Sequence, residues 1–197
     1  MEFQDVVRRR RMVRNFDDRP LAPEAVERIL ANGGRAPSAG FTQGWAFLVL
    51  EGPAETGRFW AACPPPEGSR ARARWPGVLR APLVVVVLAD EGAYRRRYAE
   101  PDKAASGLAD GEWPVPYWHV DAGFAALLML LTAVDAGLGA LFFGVADHDG
   151  LRRAFGVPGG WTPVGAVAVG HVRPDEPSPS VSRGRRPLED VVHRGRW

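Results

Sequence analysis

Arginines and a Pro-Ser-Gly turn are where this chain could do chemistry. Between Arg8 and Phe47 the sequence RRRRMVRNFDDRPLAPEAVERILANGGRAPSAGFTQGWAF places an arginine cluster, an amphipathic segment and Pro37-Ser38-Ala39-Gly40 in one short span. Guanidinium groups keep their charge at every accessible pH and offer a planar fork of donors that matches phosphate oxygens, so converging arginines suit an anionic ligand. A solvated surface is the competing reading, because Lys103 is the only lysine and arginine is this chain's default cation.

Other chemistries lack their residues. No Gly-x-Ser-x-Gly elbow and no Walker phosphate loop is present, and His119, His148, His171 and His193 are scattered with no paired cysteine, so no metal site is expected. Gly137-Leu138-Gly139-Ala140 follows a helical pattern and lacks a third glycine, which argues against a dinucleotide loop. The Arg8 to Arg11 run has no accompanying aromatic platform, so nucleic acid is not an expected partner.

The 197 residues suit one domain with a real core, and 46% hydrophobic with 24% charged residues is a globular composition. Net charge is only +2. A lone Cys63 excludes an internal disulfide and fits a reducing cytoplasm, and no signal peptide is read at the N-terminus. The longest apolar run, Ala122 to Val134, is short for a bilayer span and reads as a buried helix, so no membrane is expected.

These residues need elements to hold them. Phe3, Val6, Val7 and Met12 predict a first helix whose last turn carries Arg8 to Arg11. Pro23 starts a second, with Val26, Ile29, Leu30 and Gly33 at helical spacing, ended by Gly33-Gly34. Ala46 to Leu50 predicts a strand, followed by a short helix to Ala62, a loop over Pro64 to Ser69, and a helix carrying Arg70, Arg72, Arg74 and Arg80. Leu83 to Ala89, β-branched and apolar on both faces, predicts a strand in the middle of a doubly covered sheet. Ala99 to Pro116 has no apolar period and reads as a long loop of the kind that serves as a lid. Tyr117 to Gly137 reads as a central helix buried nearly all round. A strand over Ala140 to Val145, a short helix marked by Leu151, Phe155 and Val157, and a strand over Val164 to Val172 follow. Pro174 to Ser182 reads as an extended linker, and Pro187 to Trp197 as an arm that needs a docking surface. Helices mixed with about four strands give an α+β domain.

Arg10-Arg11-Met12-Val13-Arg14-Asn15-Phe16 and Ala36-Pro37-Ser38-Ala39-Gly40-Phe41-Thr42-Gln43-Gly44-Trp45 resemble the opening of the nitroreductase family of FMN-binding oxidoreductases. Arg183-Gly184-Arg185-Arg186-Pro187-Leu188 resembles that family's C-terminal motif. Met12 stands where the family usually has Ser, Phe41 where it has Asn, and Gly44 where it has Pro. The resemblance implies a nitroreductase-like three-layer α/β/α fold with a central, mainly antiparallel sheet. It implies an intertwined homodimer in which residues 173–197, the arm of a domain spanning 1–172, cross to extend the partner's sheet.

The same resemblance implies the site. Arg10 and Arg14 would meet the FMN phosphate or ribityl chain from one segment, and Arg183 and Arg185 from the other. Met12 would serve through its backbone N–H, and Arg11 belongs to the same segment with a solvated surface as its alternative. Pro37, Ser38, Ala39 and Gly40, supported by Gln43, would lie against the cofactor from the second subunit, with Ser38 donating a hydrogen bond. Phe143 and Gly144 would run beside the flavin ring, next to Phe142. Phe41, Trp113, Tyr117 and Trp118 are the candidate substrate wall, with core packing as the other account of the junction residues. Flavin N5 carries such chemistry, so no catalytic side chain is expected. The implied activity is NAD(P)H-driven reduction of a small oxidised acceptor such as a nitroaromatic or quinone. The alternatives are a flavin-storage or sensing protein, or a specialised use of reduced flavin or of a deazaflavin.

Overall fold

Strand β2 (Leu83–Asp90) carries seven consecutive buried residues, and the rest of the fold supplies its two covers. The computed structural model describes residues 1–65 and 74–197. Four antiparallel strands form one sheet in the order β1 (Trp45–Glu51), β2, β4 (Trp161–Gly170), β3 (Gly139–Phe143). Successive side chains on a strand point to opposite faces. Leu83, Val85, Val87 and Ala89 therefore enter one core cluster, and Val84, Val86 and Leu88 the other.

Helices α2 (Pro23–Gly33) and α5 (Tyr117–Asp135) cover the first face through Val26, Ile29, Ala122, Ala126 and Met129. Gly33 lets them approach, since a Cβ there would meet the Met129 methyl at 2.5 Å. Helices α3 (Gly52–Ala62) and α6 (His148–Phe155) cover the second through Phe59 and Leu151. The architecture is the expected three-layer α+β fold. Pro163, which has no N–H to donate, sits where the β2–β4 register shifts between Val87 and Leu88.

Several expectations are corrected. Helix α1 (Phe3–Arg9) ends before Met12, which instead lies beside Ala140 in a parallel bridge, so Met12 is no part of the helical face. Helix α5 is buried on one side only: Tyr117, Phe124 and Leu127 are 42%, 42% and 45% exposed. It is long and apolar enough for a membrane span, yet half of its most apolar window is inside the protein. Residues Glu91–Tyr98 form a helix, α4, that the sequence reading passed over because its three arginines and single buried Tyr94 give no apolar period. Pro76–Arg80 is a 3-10 turn where a longer helix was expected, while Arg70 and Arg72 lie outside the described residues. Of the expected loop over 64–69 only Pro64 and Pro65 are described. The linker after Pro174 is not extended throughout, since Pro179–Arg183 makes a 3-10 turn, and Val157 falls just beyond α6. The 99–116 stretch is irregular apart from a 3-10 turn at Ala104–Ser106.

Met129 is fully buried and fills the α2–α5 contact, so Met129→Ala should cost about 2–5 kcal/mol of unfolding free energy. Urea denaturation monitored by circular dichroism measures the loss.

Candidate functional site

The N-terminal arginine segment is laid along the β3 edge. Val13 N–H donates to Ala140 O at 3.0 Å, and Met12 bridges Ala140. Further on, Phe16 bridges Val172 and Arg173 N–H donates to Asn15 O at 3.0 Å, so the chain leaving β4 returns against the same segment. Asp175 then ties the two together. Its carboxylate, 4% exposed, accepts from Arg11 Nη1 at 2.7 Å and from the Arg14 backbone N–H at 2.8 Å.

A cleft of about 740 Å³ opens there, lined by Arg10, Arg11, Met12, Arg14, Asp175, Ser178 and Arg185 among others. Arginines from both ends of the chain thus line one cleft. Arg11 is neutralised by Asp175. Arg10, Arg14 and Arg185 form no ion pair among the described residues. Arg14 donates to Met12 O at 3.1 Å and lies 4.8 Å from the centre of the Trp75 ring. Arg183 does not line this cleft; it closes the 3-10 turn before Gly184.

Arg14 also borders a second, apolar cleft of about 280 Å³, lined by Trp60, Trp75, Leu141, Phe142, Phe143, Gly144 and Val145 among others. Phe143 stacks on Trp60 with ring centres 5.3 Å apart and planes 20° from parallel. A Cβ at Gly144 would meet nothing within 4 Å, so the protein leaves that space open. Trp60 and Trp75 are contributors that the sequence reading did not single out; only their place on or near a helix beside the arginines marks them.

Pro37 to Gln43 line neither of these clefts. They form a separate turn entering β1. Ser38 Oγ accepts from Gln43 N–H at 2.9 Å, a bond that leaves the hydroxyl proton free to donate elsewhere. Ala39 N–H donates to Asp121 Oδ2 at 2.8 Å, and Tyr94 O–H to the same oxygen at 2.7 Å. Burial, aided by the Asp121 carboxylate, pushes the Tyr94 phenol well above its ordinary value, so this donor persists through the accessible pH range. Arg97 Nε donates to Gly40 O at 2.9 Å.

Of the proposed substrate wall, Phe41 and Tyr117 are exposed at 77% and 42%. Trp113 and Trp118 are instead core residues packed edge-on around Tyr94 and each other, with Trp113 Nε1 donating to Leu108 O at 2.9 Å. Packing is the account that the geometry favours for those two.

The arrangement pairs a cationic cleft with an aromatic one, on a three-layer α+β scaffold. That is the form of a site for a flat ring carrying an anionic tail. The chain belongs to the nitroreductase family: the sequence model of that family matches residues 7–171. It is 29% identical to a 5,6-dimethylbenzimidazole synthase from Rhodospirillum rubrum, covering 94% of this chain and 90% of that protein. An NADPH-dependent oxidoreductase of Staphylococcus aureus is 24% identical over 98% of this chain and 73% of its own length. Among solved structures, a protein from Exiguobacterium sibiricum assigned as a nitroreductase and solved with FMN superposes with TM-score 0.74 at 20% identity, covering 98% and 97% of the two chains.

Cys63 borders the apolar cleft and is buried, with its thiol donating to Asp147 O at 3.3 Å. Burial, and secondly the Asp147 carboxylate, pushes its pKa from 9.0 to about 11. Between those values only the unfolded chain ionises, so this group withdraws stability as pH rises through the window and has no such effect below it. At pH 9.0 iodoacetamide should therefore label the native thiol more than about tenfold slower than the urea-unfolded one, read by mass spectrometry.

Proposed function

We propose that the protein is an FMN-dependent NAD(P)H oxidoreductase that passes reducing equivalents to a small oxidised acceptor such as a quinone or nitroaromatic. The observation that carries this is Arg14, which borders both the arginine cleft and the aromatic cleft. The residues fit the cofactor. Arg10, Arg14 and Arg185 would hold its phosphate dianion through charge-assisted hydrogen bonds. The Trp60, Phe143 and Gly144 cleft would take the flat ring, with the open space at Gly144 permitting close backbone approach. Bound FMN would supply hydride acceptance and donation; the chain's own residues fix the ring, neutralise the phosphate and exclude water.

A homodimer is part of the proposal, as is a cytoplasmic setting. Exposed Tyr117, Phe124 and Leu127 form an apolar stripe on α5, and Val181, Leu188, Val191, Val192 and Trp197 leave the C-terminal arm with uncovered apolar side chains. Strand β1 is an edge of the sheet and has a strand neighbour on one side only among the described residues. A second copy would cover the stripe, receive the arm and bring its own Pro37–Gln43 turn to the first copy's clefts.

The relative from Rhodospirillum rubrum favours a second reading, in which the reduced cofactor serves a synthetic step. Detection of a benzimidazole product after aerobic incubation with FMN and NADPH supports that reading over simple acceptor reduction.

The purified protein should be yellow and bleach with NADH or NADPH under anaerobic conditions; retained flavin that neither nucleotide reduces counts against the proposal. Arg10→Ala and Arg185→Ala should weaken FMN binding by at least about tenfold in a fluorescence titration, whereas Arg96→Ala, whose partner is Asp90, should not. Gly144→Ala should lower FMN affinity while leaving the melting temperature nearly unchanged, because the added Cβ meets no protein atom within 4 Å. Equal losses across all of these variants would return the arginines to a solvated surface role.

A further inference from the structure

A cationic side chain that serves two clefts needs something to hold it still. Arg14 borders both, and an arginine has much rotamer freedom to lose when a ligand fixes it. Among the described residues no carboxylate pairs with its guanidinium, whose Nη1 donates to Met12 O at 3.1 Å. A second contact is with an indole: the guanidinium carbon lies 4.8 Å from the centre of the Trp75 ring. An aromatic face attracts a guanidinium through the ring's quadrupole. Unlike a carboxylate, it leaves the cation's charge and its in-plane N–H groups for another partner.

Trp75 is itself held from two sides. The Pro76–Arg80 turn that follows it is docked on the arginine segment. Phe16 N–H donates to Gly77 O at 3.2 Å, Arg80 Nε to Phe16 O at 3.1 Å, and Arg80 Nη2 to Asn15 Oδ1 at 2.7 Å. A Cβ on Gly77 would overlap the Asn15 side chain, so the close approach needs glycine. On the other side, Trp75 Nε1 donates at 3.2 Å to Glu176 O, on the chain that returns from β4. Arg74 lies 5.5 Å from the same ring, but its guanidinium is paired with the Glu176 carboxylate at 3.3 Å.

We infer that Trp75 is a positioning residue: its ring holds the Arg14 guanidinium at the junction of the cationic and aromatic clefts. A ligand with a flat ring and an anionic tail then meets a cation already in place, and less rotamer freedom is lost on binding. The inference rests on the flavin oxidoreductase reading for the identity of that ligand.

The test titrates FMN into the flavin-stripped full-length protein and reads Kd from flavin fluorescence. Trp75→Leu should weaken binding about three- to tenfold, the range of a lost cation–π contact. Trp75→Phe, which keeps an aromatic face and gives up the bond to Glu176, should restore most of the affinity. Fluorinated tryptophans placed at position 75 alone drain electron density from the ring face with little change of shape, so affinity should fall in step with fluorine number, an effect that packing alone does not produce. In an Arg14→Met background neither Trp75→Leu nor fluorination should cost anything further, since both act through that guanidinium. Arg74→Ala should leave Kd unchanged. Affinity that ignores fluorination, or equal losses with and without Arg14, overturns the positioning role while leaving the flavin reading intact. A wild-type protein that takes up no FMN overturns the underlying reading and this inference with it.

Discussion

A strand that must be dry on both faces governs this molecule. Val84 to Val87 have no exposed surface, so β2 needs a helical layer above and another below, and hydrogen-bonded neighbours on both sides. With four strands among the described residues, β1 and β3 are left as edges. Each edge adjoins a segment of the candidate site. The arginine segment runs along β3, and the Pro37–Gln43 turn leads into β1. Three strand spacings, roughly 14 Å, separate the two edges. Within one chain the Pro37–Gln43 turn lines neither the cationic nor the aromatic cleft that Arg14 borders, which is the reason for proposing a second copy.

Within the cationic segment, charge is arranged by one carboxylate. Asp175 is nearly buried yet satisfied by a guanidinium and a backbone N–H, which is the condition under which a buried charge is tolerable. It draws the chain after β4 back onto the chain before α2, and Asn15 reinforces this through its bond to Pro174 O. By occupying Arg11 it also reduces the repulsion among clustered cations, leaving Arg10, Arg14 and Arg185 directed at the cleft. The remaining ion pairs are mostly exposed and contribute little to stability individually.

Much of this was legible in the sequence because the relevant signals are local. The β-branched run of β2, the Pro23 start of α2 and the glycines that end it each dictate structure within a few residues. The arginine convergence was legible only through motifs at both ends of the chain, since no local rule says that Arg14 and Arg185 meet. What was missed depends on distant partners. Helix α4 has no apolar stripe, and Tyr94 and Arg97 acquire meaning only from Asp121 and Gly40. Met12 left the first helix because its backbone found Ala140. The apolar side chains of α5 predicted burial all round, but one face has no cover among the described residues. Trp113 and Trp118 could not be sorted between wall and core from sequence, as aromatic side chains serve both.

The central claim is that each pocket needs residues from two copies of the chain. Sedimentation velocity followed at the flavin absorbance band tests it most directly. The account predicts that the yellow colour sediments with a dimer and leaves the protein when dilution yields monomer. Flavin carried by a monomer, or a colourless dimer that does not take up added FMN, contradicts it.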